Sequence, residues 1–104
     1  MNPYEIHIAY VSWGDAGKRR PVLVLSFDHT EVAALKITSQ YDNKKSAVQA
    51  QYVAIDDWAR SGLEKLSFID IGTIIDLPIA AVHSTPIGKL SGRDLRKLLT
   101  ALSE

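Results

Sequence analysis

Lys18-Arg19-Arg20 stands directly before an apolar run, Pro21-Val22-Leu23-Val24-Leu25. A strand buried behind the triplet fixes its last cation, and a fixed guanidinium offers a phosphate two parallel N–H donors. The same three cations also read as a solvated surface cluster, and the triplet alone leaves both readings open. Lys36-Ile37-Thr38-Ser39 brings two hydroxyls to the end of a second apolar stretch. There they can donate to a phosphate oxygen or a ribose hydroxyl, or make ordinary turn hydrogen bonds. Tyr41, Lys44 and Lys45 follow within the polar stretch Ser39–Ser46. Aromatic and basic residues so mixed suit a track for single-stranded nucleic acid, and they equally suit an exposed loop.

Other chemistry finds less support. His7, His29 and His83 fall in different elements, at no spacing that makes a metal-ligand pair on one helix face. Asp56-Asp57 is explained by helix capping, and Trp13 and Trp58 read as core or rim aromatics. The chain has no cysteine, which excludes disulfides, thiolate zinc sites and thiol catalysis. Neither a phosphate-cradling glycine motif nor a nucleophile elbow is present, so no metal and no cofactor is expected. Twelve Lys and Arg balance twelve Asp and Glu, so any cationic site must be local. No basic segment precedes an apolar run at the N-terminus, and Asp70, Gly72, Asp76 and Pro78 interrupt the apolar stretch Ile69–Val82. The expectation is a soluble, cytoplasmic chain with no membrane segment.

The elements that must position these residues are mostly strands. With 104 residues, 46% of them hydrophobic, the chain suits a single domain spanning 1–104. Ile6–Val11 alternates with Ile6, Ile8 and Tyr10 on one face, as a half-buried strand does. Gly14–Arg20 has a loop's composition, and Pro21 opens a strand, Val22–Ser26, apolar enough to be covered on both faces. Asp28–Glu31 reads as a turn, Val32–Thr38 as the returning strand, and Val48–Ile55 as a further alternating strand. Asp56 is placed to cap a helical turn, Asp57–Ser61, ended by Gly62; Ser67–Gly72 and Thr73–Leu77 are short strands. Ser91 with Asp94 three residues on starts a helix whose Leu95, Leu98, Leu99 and Leu102 form one stripe, leaving Arg93, Arg96 and Lys97 wet. Short punctuated strands with one terminal helix predict a mainly β fold, a small barrel with a C-terminal α-helix packed on it.

Taken in order, Ser12–Ser26 with its Arg20-Pro21-Val22-Leu23-Val24 block, then Leu35-Lys36-Ile37-Thr38-Ser39, resemble the PemK/MazF toxins of bacterial type II toxin–antitoxin systems. Leu63–Leu77 is similar to that family's later strands, and the leucine helix also fits. The resemblance implies an SH3-like β-barrel, a homodimer, and a metal-independent, sequence-specific endoribonuclease acting on single-stranded RNA. It implies catalytic roles for Arg20 and Thr38, with Lys18, Arg19, Ser39, Tyr41, Lys44 and Lys45 as RNA-binding candidates. It also implies a cognate antitoxin protein that covers the RNA groove. The segment before Arg20 is shorter than is usual in the family and lacks its common glutamate, so no base specificity carries over.

Metal-free cleavage uses the neighbouring 2′-OH as nucleophile and leaves a 2′,3′-cyclic phosphate and a 5′-OH. The protein then has to align that attack and hold the charge that builds on the phosphoryl oxygens. Two rivals stand beside this reading. One is a toxin of the same fold that poisons a protein such as DNA gyrase, as CcdB toxins do; the ending Leu99–Glu104, without an aromatic, counts against it. The other is a non-catalytic RNA-binding barrel.

Overall fold

The computed structural model describes residues 1–13, 15–40 and 50–103. Among them, seven strands form one antiparallel sheet: β1 (Glu5–Trp13), β2 (Ala16–Phe27), β3 (Glu31–Thr38), β4 (Tyr52–Ile55), β5 (Ser67–Asp70), β6 (Ile75–Pro78) and β7 (Gly88–Lys89). A single 3-10 turn, Ile79–Ala81, follows β6, and helix α1 (Gly92–Leu102) follows β7. The strand order is β4-β5-β3-β2-β1-β7, with β6 paired to the first half of β3. The sheet curls into a half-barrel, so the mainly β fold with one C-terminal helix is as expected from the sequence. No helix among the described residues is long and apolar enough to cross a membrane.

Lys18, Arg19 and Arg20 lie within β2, not in a loop, paired with Val11, Tyr10 and Ala9 of β1. A long hairpin partner supplies the ladder that charge and glycine content disguised, and Pro21 sits in the middle of the strand. Its place there has a clear reason. Ile8, opposite Pro21, turns its carbonyl away from β2 to accept from His83 N at 2.8 Å. Antiparallel pairs alternate between bonded and non-bonded, so Pro21 also turns its backbone away from β1, toward β3. On that side the ladder runs through Leu23–Leu35 to Val22–Lys36 and stops. The next bonded pair would need the N–H that proline lacks. Ile37 and Thr38 pair on the other edge of β3, with Ile69 and Phe68 of β5. Proline thus parts β2 from β3 at the point where Arg20 and Thr38 are held.

Below the parting, the sheet is covered on both faces, as the unbroken apolar run implied. Ile6, Leu23, Leu35, Ile37, Ile55 and Ile69 gather on one face with Leu98 of α1, with Trp58 packed at the edge. Val22 and Val24 point the other way and meet Ala9, Val11, Val32, Ala34, Leu77 and Val82. Tyr10, expected on the half-buried face of β1, is 50% exposed because β1 runs on past the core.

The second half departs further from the sequence reading. β4 spans only Tyr52–Ile55; residues 48 and 49 lie outside the described residues, and Ala50 and Gln51 form a turn. Asp57–Ser61 forms the expected helical turn, Ser61 N donating to Asp57 O at 3.1 Å, and Gly62 at φ +88° ends it. Asp56 does not cap that turn; its side chain pairs with Lys97 Nζ at 2.7 Å. The backbone there is held by α1: Asp94, 1% exposed, accepts from Asp56 N at 3.0 Å and Asp57 N at 2.9 Å. Ser91 does cap α1, accepting from Asp94 N. Of the leucine stripe, Leu98 is buried and Leu95 half-buried, while Leu99 and Leu102 stay largely exposed. Arg93 and Arg96 stay exposed, as expected, Arg93 while paired with Asp57; Lys97 is half-buried, bound to Asp56 and the Ala54 carbonyl.

His7 is fully buried between two oxygens, His83 O at 2.7 Å from Nδ1 and Glu5 Oε1 at 3.0 Å from Nε2. The hydrogen bond to His7, helped by Asn2 N–H, holds the Glu5 carboxyl down at about 2. A carboxyl depressed in the folded state contributes stability in its ionised form. The stability gap between wild type and Glu5→Gln should therefore be complete above pH about 4.5 and close as pH falls through about 2. Urea unfolding of both proteins across that range measures it, and a gap independent of pH would refute the assignment.

Candidate functional site

The parting of β2 and β3 opens a cavity of about 790 Å³. Because it occupies a gap in the sheet, side chains from both faces line it. Lys18, Arg20, Lys36 and Thr38 come from one face, and Ile8, Pro21 and Ile37 come from the other. β4 and β5 add Tyr52 and Asp70, and the connection before β5 adds Leu63, Glu64 and Lys65. Lys18, Arg19, Arg20, Lys36 and Lys65 outnumber Glu64 and Asp70, so a chain of zero net charge has a cationic cavity.

Arg20 and Thr38 reach this cavity by register. Val22 and Lys36 are paired and share a face, and Arg20 and Thr38 lie two residues beyond them on the diverging ends. Both are half-buried. Thr38 Oγ1 accepts from Gln40 N at 3.1 Å and so keeps its own hydrogen to donate. Asp70 Oδ1 accepts from Gly72 N at 2.8 Å, which fixes the carboxylate at the end of β5. Tyr52 pairs with Asp70. Burial, then the negative charge of Asp70, raise the Tyr52 phenol above its usual range, against an opposite pull from Arg20.

On the opposite wall two backbones touch. Gly62 has φ +88°, and a Cβ there would collide with the Ile87 carbonyl; a Cβ on Gly88 would collide with the Ser61 carbonyl. Glycine at both positions permits the contact, and Gly62 and Ile87 both line the cavity.

Of the residues singled out in the sequence, the cavity brings together Lys18, Arg19, Arg20, Thr38 and Ser39. Tyr41, Lys44 and Lys45 lie outside the described residues. His7, His29 and His83 take no part in the cavity, and no group of three or more His, Asp or Glu among the described residues is arranged to hold a metal. Sequence reading missed Tyr52, Asp70, Lys36 and Lys65. Tyr52 carried no signal, because it shares its register with Val48, Ala50 and Ala54 in that stretch.

Among curated protein sequences none matches the chain, whereas 34 chains of solved structures do. One is the Mycobacterium tuberculosis toxin MazF-mt6, at 27% identity and a TM-score of 0.72, covering 95% of this chain and 92% of that one. Another, described as an endoribonuclease in complex with its cognate antitoxin from a mycobacterial species, shares the fold at 17% identity. Its TM-score is 0.62, and the match covers 99% of this chain and 92% of that one. A family model for the PemK-like, MazF-like toxin of type II toxin–antitoxin systems matches residues 4–104. With the Arg20-Pro21 block set in a MazF-like half-barrel, the chain belongs to the PemK-like, MazF-like toxins of type II toxin–antitoxin systems.

Proposed function

We propose that this toxin is a metal-independent endoribonuclease that cleaves single-stranded RNA at the cavity between β2 and β3. The observation that carries the reading is the convergence of Arg20 and Thr38 on one face of one cationic cavity. The 2′-OH beside the scissile phosphate gives up its proton as it attacks phosphorus in line, and the 5′-oxygen leaves and takes up a proton to become the 5′-OH. Arg20, charged at any physiological pH, holds the charge developing on the non-bridging oxygens. Thr38 donates its hydroxyl hydrogen to the phosphate or the ribose and so fixes the angle of attack. Lys18, Arg19, Lys36 and Ser39 hold the flanking backbone.

Two further parts complete the reading. The active form is a homodimer in which two such cavities flank one shared groove. A cognate antitoxin, like the one bound to the mycobacterial endoribonuclease of the same fold, occupies that groove. A cationic cavity favours an acidic segment that folds as it binds.

Incubation of purified protein with mixed RNA in EDTA, followed by end-group analysis, tests the function. Fragments ending in 2′,3′-cyclic phosphate and 5′-OH are expected. Strict dependence on an added divalent cation would overturn the mechanism, and RNA binding without cleavage would make the chain a non-catalytic RNA-binding barrel.

A further inference from the structure

The cavity holds a phenol that the mechanism above leaves without a task. Tyr52 of β4 is paired with Asp70 of β5, and paired residues project to the same face. Phe68, two residues before Asp70, shares that face and is paired with Thr38. Tyr52, Asp70, Thr38 and Arg20 therefore point the same way from four neighbouring strands, and all four line the cavity. Tyr52 and Arg20 close this row at its two ends, with Thr38 between them. A phosphate held by Arg20 and Thr38 thus has Tyr52 on its far side.

The surroundings suit the phenol to donate rather than to ionise. Tyr52 is half-buried, and burial with the neighbouring Asp70 carboxylate keeps its proton in place. A tyrosine kept neutral beside a guanidinium supplies a second donor of different direction, with no added charge to attract RNA indiscriminately. Asp70 is itself tied to Gly72 N, so its position relative to Tyr52 is set by the backbone.

We propose that the Tyr52 hydroxyl is a catalytic hydrogen-bond donor to the scissile phosphate, sharing with Arg20 the charge that builds on the non-bridging oxygens. The assignment rests on the endoribonuclease reading. It adds a contact that strengthens as the oxygen gains charge, so removing it lowers the rate more than the affinity.

Tyr52→Phe keeps the ring and its packing and removes only the donor. Single-turnover cleavage at saturating RNA should fall about 10- to 100-fold, the range for one hydrogen bond to a charged acceptor. Affinity for an RNA carrying 2′-O-methyl at the cleavage position should change by less than about threefold, because that analogue stops at the ground state. A second readout separates contact from structure. Sulfur in place of a non-bridging oxygen accepts hydrogen bonds poorly, so one phosphorothioate diastereomer should be cleaved slowly by wild type. In Tyr52→Phe that diastereomer's penalty should shrink toward unity. A wild-type rate in Tyr52→Phe would overturn the proposal, including the case in which only Tyr52→Ala is slow and the ring merely packs or stacks. An unchanged diastereomer penalty would overturn it too. Wild-type protein that cleaves no RNA would remove this proposal together with the endoribonuclease reading. A defective Arg20→Ala beside an intact Tyr52→Phe would remove this proposal alone.

Discussion

Arg20→Ala is expected to slow single-turnover RNA cleavage about 100- to 1,000-fold, a loss of about 3–4 kcal/mol in transition-state stabilisation. Arg19→Ala should lose far less, even though the two side chains are sequence neighbours and both line the cavity. The contrast follows from strand parity. Arg20 shares its face with Val22 and with Thr38 across the gap, whereas Arg19 projects from the opposite face, paired with Tyr10. Arg20 is also half-buried, so its guanidinium acts on the phosphate with less solvent screening than Arg19, which is exposed. Rates with saturating RNA isolate the chemical step from long-range attraction. Equal, mild losses at both positions would reduce the triplet to a non-specific cationic patch.

The second large effect is on stability. Asp94→Ala should destabilise the fold by about 3 kcal/mol, which for a domain of this size lowers Tm by about 15 °C. One buried carboxylate accepts from two successive backbone N–H groups, Asp56 and Asp57, and its own N–H is capped by Ser91. Removing it strands both donors and uncouples α1 from the turn after β4. Asp94→Asn, which retains one acceptor oxygen, should fall between alanine and wild type. Thermal and urea unfolding measure the series, and a loss below about 1 kcal/mol for alanine would show that water replaces the carboxylate.

What was legible in the sequence followed from local pattern. The apolar run after Arg20 demands burial on both faces, and burial fixes the side chain at its end, so Arg20 stood out. Thr38 stood out as the hydroxyl that ends the next apolar strand. Ser91 and Asp94 announced the helix start, although nothing local showed that Asp94 would reach back to the backbone of Asp56 and Asp57. The stretch from Ala16 to Arg20 has a loop's composition because glycine and charge favour loops, yet a hairpin partner outweighs both. Tyr52 and Asp70 were out of reach. They join the site only because β5 pairs with the far edge of β3 and β4 pairs with β5, and those are long-range choices of partner.

The contact between Gly62 and Gly88 has a consequence for how the cavity keeps its width. Residue 88 is paired with Ile6 of β1, and β1 also carries, on its other edge, the strand that bears Arg20. β1 therefore acts as a common ruler for both walls: one is measured off through β2, the other through β7 and the glycine contact. A displacement of β1 would carry both walls along and leave their separation nearly unchanged. The joint itself is main chain against main chain, so no side chain there can tune the gap. Adjustment of what the cavity admits falls instead to the exposed side chains at its rim, chiefly Glu64 and Lys65.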